Sequence, residues 1–127
     1  MKEYTVAVFG KEGCQKCKVL NKRLDKVLEK DEWKNFEKTY YDVGTIDGLV
    51  KYADMEILNP QRIPAFIVLK NTEDGKQVRI KEKFEEGIDE KTGKFRYPTF
   101  VSLQTDYRSQ GVIRPSDITD VLQAATA

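Results

Sequence analysis

Residues 4–9, YTVAVF, form a short β-branched and aromatic run, and a helical pattern starts a few residues later. A continuous apolar run of that length reads as a buried strand. Cys17, Leu20, Leu24, Val27 and Leu28 then recur at helical spacing, with Lys18, Lys22, Arg23 and Lys26 in the wet positions between them. The helix begins at Cys14 or Gln15 and ends near Asp31. Residues 38–43, KTYYDV, read as a second strand. Two strands joined through a helix make a parallel pair, so this segment commits the chain to an α/β fold.

The next stretch extends that unit. Thr45 is placed to cap a second helix, with Ile46, Leu49, Val50 and Ala53 on one face and an end before Asn59-Pro60. Residues 65–69, AFIVL, are a continuous apolar strand. The turn NTEDGK, 71–76, has Asp74-Gly75 at its tip, and QVRIK, 77–81, returns as the antiparallel partner. The first 82 residues therefore read β-α-β-α-β-β. Residues 84–98 are charged and turn-rich, residues 99–104 are a further strand, and 106–115 are loop. Ser116 caps a last helix that carries Ile118, Val121 and Leu122. Trp33 and Phe36 pin the connection after the first helix, and one of Tyr40 and Tyr41 points to the core.

At 127 residues the chain is expected to be one domain, 1–127, large enough to fold without a disulfide or a metal. The 22 Lys and Arg nearly balance the 21 Asp and Glu, so charge gives no reason to expect nucleic acid or an anionic membrane. No run of apolar residues is long enough to span a bilayer, and the N-terminus does not read as a signal peptide. The expected compartment is the cytoplasm. There are no histidines, which closes Ser-His-Asp and Cys-His catalysis and imidazole metal sites.

Against that background stands GCQKC, residues 13–17, which holds the only two cysteines. It follows the first strand and opens the first helix. The unpaired N–H groups and the positive dipole end of a helix start favour an anion. Lys16, Lys18 and Lys11 add positive charge. Cys14 is therefore expected to be the exposed thiol that loses its proton easily, and Cys17, one turn inward, lies within disulfide reach. The chemistry this permits is attack by Cys14 on a disulfide, followed by resolution by Cys17. Two other readings stand beside it. The pair is half of a zinc or iron–sulfur site completed by a second chain, or the domain is an interaction module in which the cysteines are secondary. No metal ligand set is assigned within the chain. Glu85, Glu86, Asp89 and Glu90 read as a solvated loop.

Arg62-Ile63-Pro64-Ala65 lies directly before the AFIVL strand. A C-x-x-C after the first strand together with an Ile-Pro before the third resembles the thioredoxin-fold oxidoreductases, and the order of elements is most similar to glutaredoxins. The resemblance covers about the first two-thirds of the chain and the last helix. It implies a thioredoxin-like α/β fold, a mixed central sheet flanked by helices on a β-α-β-α-β-β-α core, with an insert near 83–97. It implies a cis Ile63-Pro64 bond beside the cysteines, an Ile63 backbone that pairs with an extended substrate, and Arg62 at the rim to meet a carboxylate. Lys11 matches the basic residue that glutathione-binding members carry three positions before the first cysteine. Val8 stands where thioredoxins carry a buried aspartate.

Gly13 replaces the thioredoxin tryptophan, Gln15 and Lys16 fill the spacer, and the Gly-Gly and acidic residue of glutathione-binding members are missing. The implied function is a thiol–disulfide oxidoreductase with Cys14 and Cys17 catalytic, and with Lys11, Gly13, Gln15, Arg62, Ile63 and Pro64 lining the substrate site. Its substrates would be protein disulfides or glutathione mixed disulfides. It would hold no tightly bound cofactor, would take electrons from glutathione or a thioredoxin-reductase-like partner, and would act as a monomer.

Overall fold

A computed structural model describes residues 2–55, 63–80, 87–88, 95–96, 101–104 and 113–126. Strand β1 (Tyr4–Gly10) leads through a short turn into helix α1 (Gln15–Leu28), a 3₁₀ turn (Asp31–Trp33) and strand β2 (Phe36–Asp42). Helix α2 (Ile46–Asp54) and strand β3 (Ala65–Asn71) follow, then β4 (Gln77–Arg79), a small pair β5 (Gly87–Ile88) and β6 (Phe95–Arg96), β7 (Ser102–Gln104) and helix α3 (Pro115–Thr126). The main sheet runs β2-β1-β3-β4, with β1 parallel to β2 and antiparallel to β3. This is the mixed sheet flanked by helices that the sequence implied.

The far edge of the sheet is one strand interrupted. β4 pairs with Leu69–Asn71 of β3, and β7 pairs with Ala65–Ile67 in the same antiparallel sense. Between them the Val101 amide donates to the Ile80 carbonyl at 2.7 Å, and the Val68 amide to the Val101 carbonyl at 3.2 Å. The described edge thus runs to Ile80 and is taken up again at Val101. Of the charged segment read as an insert near 83–97, the described residues are β5 and β6, which pair with each other, and the rest lies outside the described residues.

Strand alternation splits the core into two layers. Tyr4, Val6 and Val8 of β1 face α1 and α3, in a cluster with Leu20, Leu24, Phe66, Val68, Ile118 and Leu122. Ala7 and Phe9 face the α2 side, with Tyr52, Ala65, Ile67 and Leu69. β1 is buried along its whole length, as a central strand covered on both faces must be. Thr5 is its one buried polar residue, and its hydroxyl oxygen accepts from Asn71 Nδ2 at 2.8 Å. Trp33 meets Phe36 edge-on at 5.5 Å, and Phe36 stacks on Tyr4 at 4.7 Å, which fixes the turn after α1 as the sequence suggested.

Three expectations are corrected. β2 starts two residues earlier, at Phe36, because Phe36 packs into the larger cluster. The apolar face expected of α2 points outward: Ile46, Leu49, Val50 and Ala53 are exposed, and Gly48 and Tyr52 are buried instead. The reason lies at Gly48, where an added Cβ would stand 1.8 Å from the Asp42 carbonyl oxygen. This close approach of helix to β2 fixes the rotation of α2 and turns Tyr52 inward. Thr45 does cap α2, accepting from the Gly48 amide at 3.1 Å. In α3 the helix already begins at Pro115, so Ser116 lies in its first turn. Asp117 takes the capping role, with Oδ2 accepting from the Arg114 amide at 3.1 Å. The hydrogen bonds from Arg114 hold the Asp117 carboxyl below its ordinary range.

Candidate functional site

The cysteine turn is built by local chemistry. The Cys14 amide donates to the Lys11 carbonyl at 3.3 Å, and Gly13 adopts a left-handed φ of 80°. An added Cβ at Gly13 would meet nothing within 4 Å, so glycine is there for backbone conformation and not for space. Cys14 is the N-cap of α1, and its sulfur accepts from the Cys17 amide at 3.2 Å. The first turn of α1 holds no acidic residue, so the positive end of the helix is left for the sulfur. Cys14 is half-buried and Cys17 is buried. The two form a disulfide, with Cα atoms 5.2 Å apart.

Around the pair, Lys11, Gly13 and Gln15 are exposed and Lys16 is half-buried. The Ile63-Pro64 bond is cis, as the resemblance implied. Pro64 is buried, and Ile63 is half-buried against the α2-side cluster. The β1–β3 register pairs Phe9 with Ala65. Pro64 directly precedes the residue paired with Phe9, at the sheet end that carries the cysteine turn. Arg62 lies outside the described residues. Val8, at the position of the thioredoxin aspartate, is fully buried and apolar.

Sequence reasoning missed two residues. β1 ends at Gly10, and a Cβ added there would stand 2.7 Å from the Tyr40 hydroxyl oxygen, 2.9 Å from Cys17 Cβ and 3.0 Å from Cys17 Sγ. The Tyr40 hydroxyl and the Cys17 sulfur thus flank the same bare Cα. Tyr40 pairs with Val8 and shares its face, toward α1, whereas Tyr41 turns the other way and stacks on Phe9 at 5.3 Å. Burial first, and then the Asp42 carboxylate, push the Tyr40 phenol above its ordinary value. The signal available in the sequence was the glycine that ends a largely apolar strand directly before the cysteine turn. Among the described residues no three Cys, Asp or Glu side chains come together as a metal site, and no helix is long and apolar enough to cross a membrane.

Fold and pair together define a thioredoxin fold that carries a C-x-x-C disulfide at the start of its first helix. Among solved structures, the oxidised form of mitochondrial thioredoxin 3 from Saccharomyces cerevisiae is similar at a TM-score of 0.51 and 13% identity, over 97% of this chain and 79% of that one. A structure described as that of a malarial protein is similar at the same TM-score and identity, over 99% of this chain and 100% of the other. No protein-family model and no curated protein matches the sequence.

Proposed function

We propose that the chain is a glutaredoxin-like thiol–disulfide oxidoreductase. The observation that carries this reading is the asymmetry of the pair: Cys14 caps α1 and is reachable, while Cys17 is buried one turn behind it. In the reduced protein the Cys14 thiolate, favoured by the helix start and the nearby lysines, attacks a substrate disulfide. A mixed disulfide forms and one substrate thiolate leaves. Cys17 then attacks the Cys14 sulfur, the Cys14–Cys17 disulfide forms, and the second substrate thiolate leaves and is protonated. Two electrons have passed to the substrate. A thiol reductant, glutathione or a dithiol protein, restores the pair.

Val8 in place of a buried carboxylate and Lys11 before the turn support the glutaredoxin-like reading over a thioredoxin-like one. Lys11, Gly13, Gln15, Arg62, Ile63 and Pro64 are the residues proposed to meet substrate, with protein disulfides or glutathione mixed disulfides as the class. The working compartment would be the cytoplasm. Cys14→Ser is expected to abolish reduction of a disulfide substrate, and Cys17→Ser to accumulate the mixed disulfide. Full reductase activity in Cys14→Ser would refute the reading.

A further inference from the structure

The place of Tyr40 points to a role that the C-x-x-C motif does not contain. We propose that Tyr40 is a positioning residue for the resolving cysteine, its hydroxyl donating a hydrogen bond to the Cys17 thiolate. This inference rests on the thiol-exchange reading and deepens it.

Cys17 has the harder task of the two cysteines. It is buried, and burial disfavours a thiolate. It sits a turn inside the helix, away from the unpaired amides that favour Cys14. Yet it must lose a proton to attack the Cys14 sulfur of the mixed disulfide. A donor beside its sulfur would meet that need. β1 supplies none, since Val8 is apolar and Gly10 has no side chain. Gly10 instead leaves a gap, and the Tyr40 hydroxyl enters it from β2 to within 2.7 Å of the point where a Cβ would be. The Cys17 sulfur lies 3.0 Å from the same point. Burial first, and then the Asp42 carboxylate, hold the phenol above its ordinary value, which favours its protonated, donating form.

The step balances simply. Cys17 gives its proton to solvent and becomes a thiolate held by the Tyr40 O–H. The sulfur–sulfur bond to the substrate breaks as the Cys14–Cys17 bond forms, and the leaving substrate thiolate takes up a proton. Tyr40 keeps its own proton throughout. In the disulfide state the Cys17 sulfur carries no charge, and the Tyr40 hydroxyl has no thiolate to hold. Tyr40 therefore acts on the resolving step, in which Cys17 is the thiolate.

Other charges surround this seam. Lys16 and Lys18 flank Cys17 on α1, and Lys11 and Glu12 lie in the exposed turn. On β2, Asp42 lies two residues beyond Tyr40 and Lys38 two before it. Lys38 is engaged by Asn21 and Asp25 of α1, at 2.5 Å each. Neither Gly10 nor the Ile63-Pro64 segment adds a titratable side chain. None of these groups changes in Tyr40→Phe, which removes only the hydroxyl.

The test compares Cys14→Ser with Cys14→Ser/Tyr40→Phe, following the Cys17 thiolate by its ultraviolet absorbance against pH. Loss of the hydroxyl should lower the acid dissociation constant of Cys17 about tenfold, the scale of one charge-assisted hydrogen bond. An unchanged Cys17 titration in a variant that melts like its parent overturns the proposal. If Tyr40→Phe does not fold, the unaltered protein decides. The Tyr40 phenol, followed by ring NMR, should titrate higher in the reduced than in the oxidised state, and the same titration in both overturns the proposal. A wild-type pair that forms no reversible disulfide would sink the proposed activity, while the Cys17 titration would still read the Tyr40 contact.

Discussion

A methyl group on Gly10 would press on two neighbours of unequal give. The Tyr40 hydroxyl ends a side chain that is 40% exposed and can swing aside, whereas Cys17 Cβ, 2.9 Å away, is fixed in α1. Gly10→Ala should therefore cost about 1–3 kcal/mol, the range for overpacking a dense interior. Denaturant unfolding of the oxidised and the reduced protein would read that cost. A loss below about 0.5 kcal/mol in both would mean that the gap is roomier than its geometry indicates. At this scale the sequence showed what is local. Cys14 and Cys17 stand three residues apart on a helix start, and Pro64 stands directly before a strong strand, so all three were legible. Tyr40 was not. Its approach to Cys17 depends on the register of β1 against β2, Val8 opposite Tyr40, thirty-two residues apart in sequence. Spacing along the chain carries no information about that register.

Elements were legible wherever apolar pattern and burial coincide. α1 buries Cys17, Leu20, Leu24 and Val27, the positions its spacing marks, and β3 buries the whole of AFIVL. α2 shows how the two part. Its pattern puts Ile46, Leu49 and Val50 on one face, and they are the residues left in solvent. A helix turns to the face that lets it come close, and for α2 that is the Gly48 face, against the Asp42 carbonyl. The single edge strand shared by β4 and β7 was hidden for a related reason, because its two halves are separated by residues 81–100. The orientation of α2 carries a paired prediction. Leu49→Lys should leave stability within about 0.5 kcal/mol of wild type, as surface changes do. Gly48→Ala, with its Cβ 1.8 Å from a backbone oxygen, should cost about 3 kcal/mol or more. Thermal and denaturant unfolding of the two variants would check this. If the two costs ran the other way, α2 would pack on the face its sequence pattern marks.

For the molecule as a whole, stability and redox poise are separable quantities. The larger cluster, between the sheet and α1 with α3, holds most of the buried side chains, and Cys17 belongs to neither cluster. A change inside that cluster alters the folded state alike whether the cysteines are bonded or free. The reduction potential depends only on the difference between those two folded states. Leu122, fully buried in α3, is the place to separate the two quantities. Leu122→Ala should cost about 2–5 kcal/mol of folding stability through lost transfer energy and the cavity it leaves. The same variant should keep the potential of wild type, measured in thiol buffers at a temperature where both are folded. Gly10→Ala, which presses on Cys17 directly, should move both. A potential that shifted with Leu122→Ala would mean that α3 packing reaches the cysteine turn through α1. The position of Cys17 relative to Cys14 would then depend on the packing of the whole helical layer and not on the first turn of α1 alone.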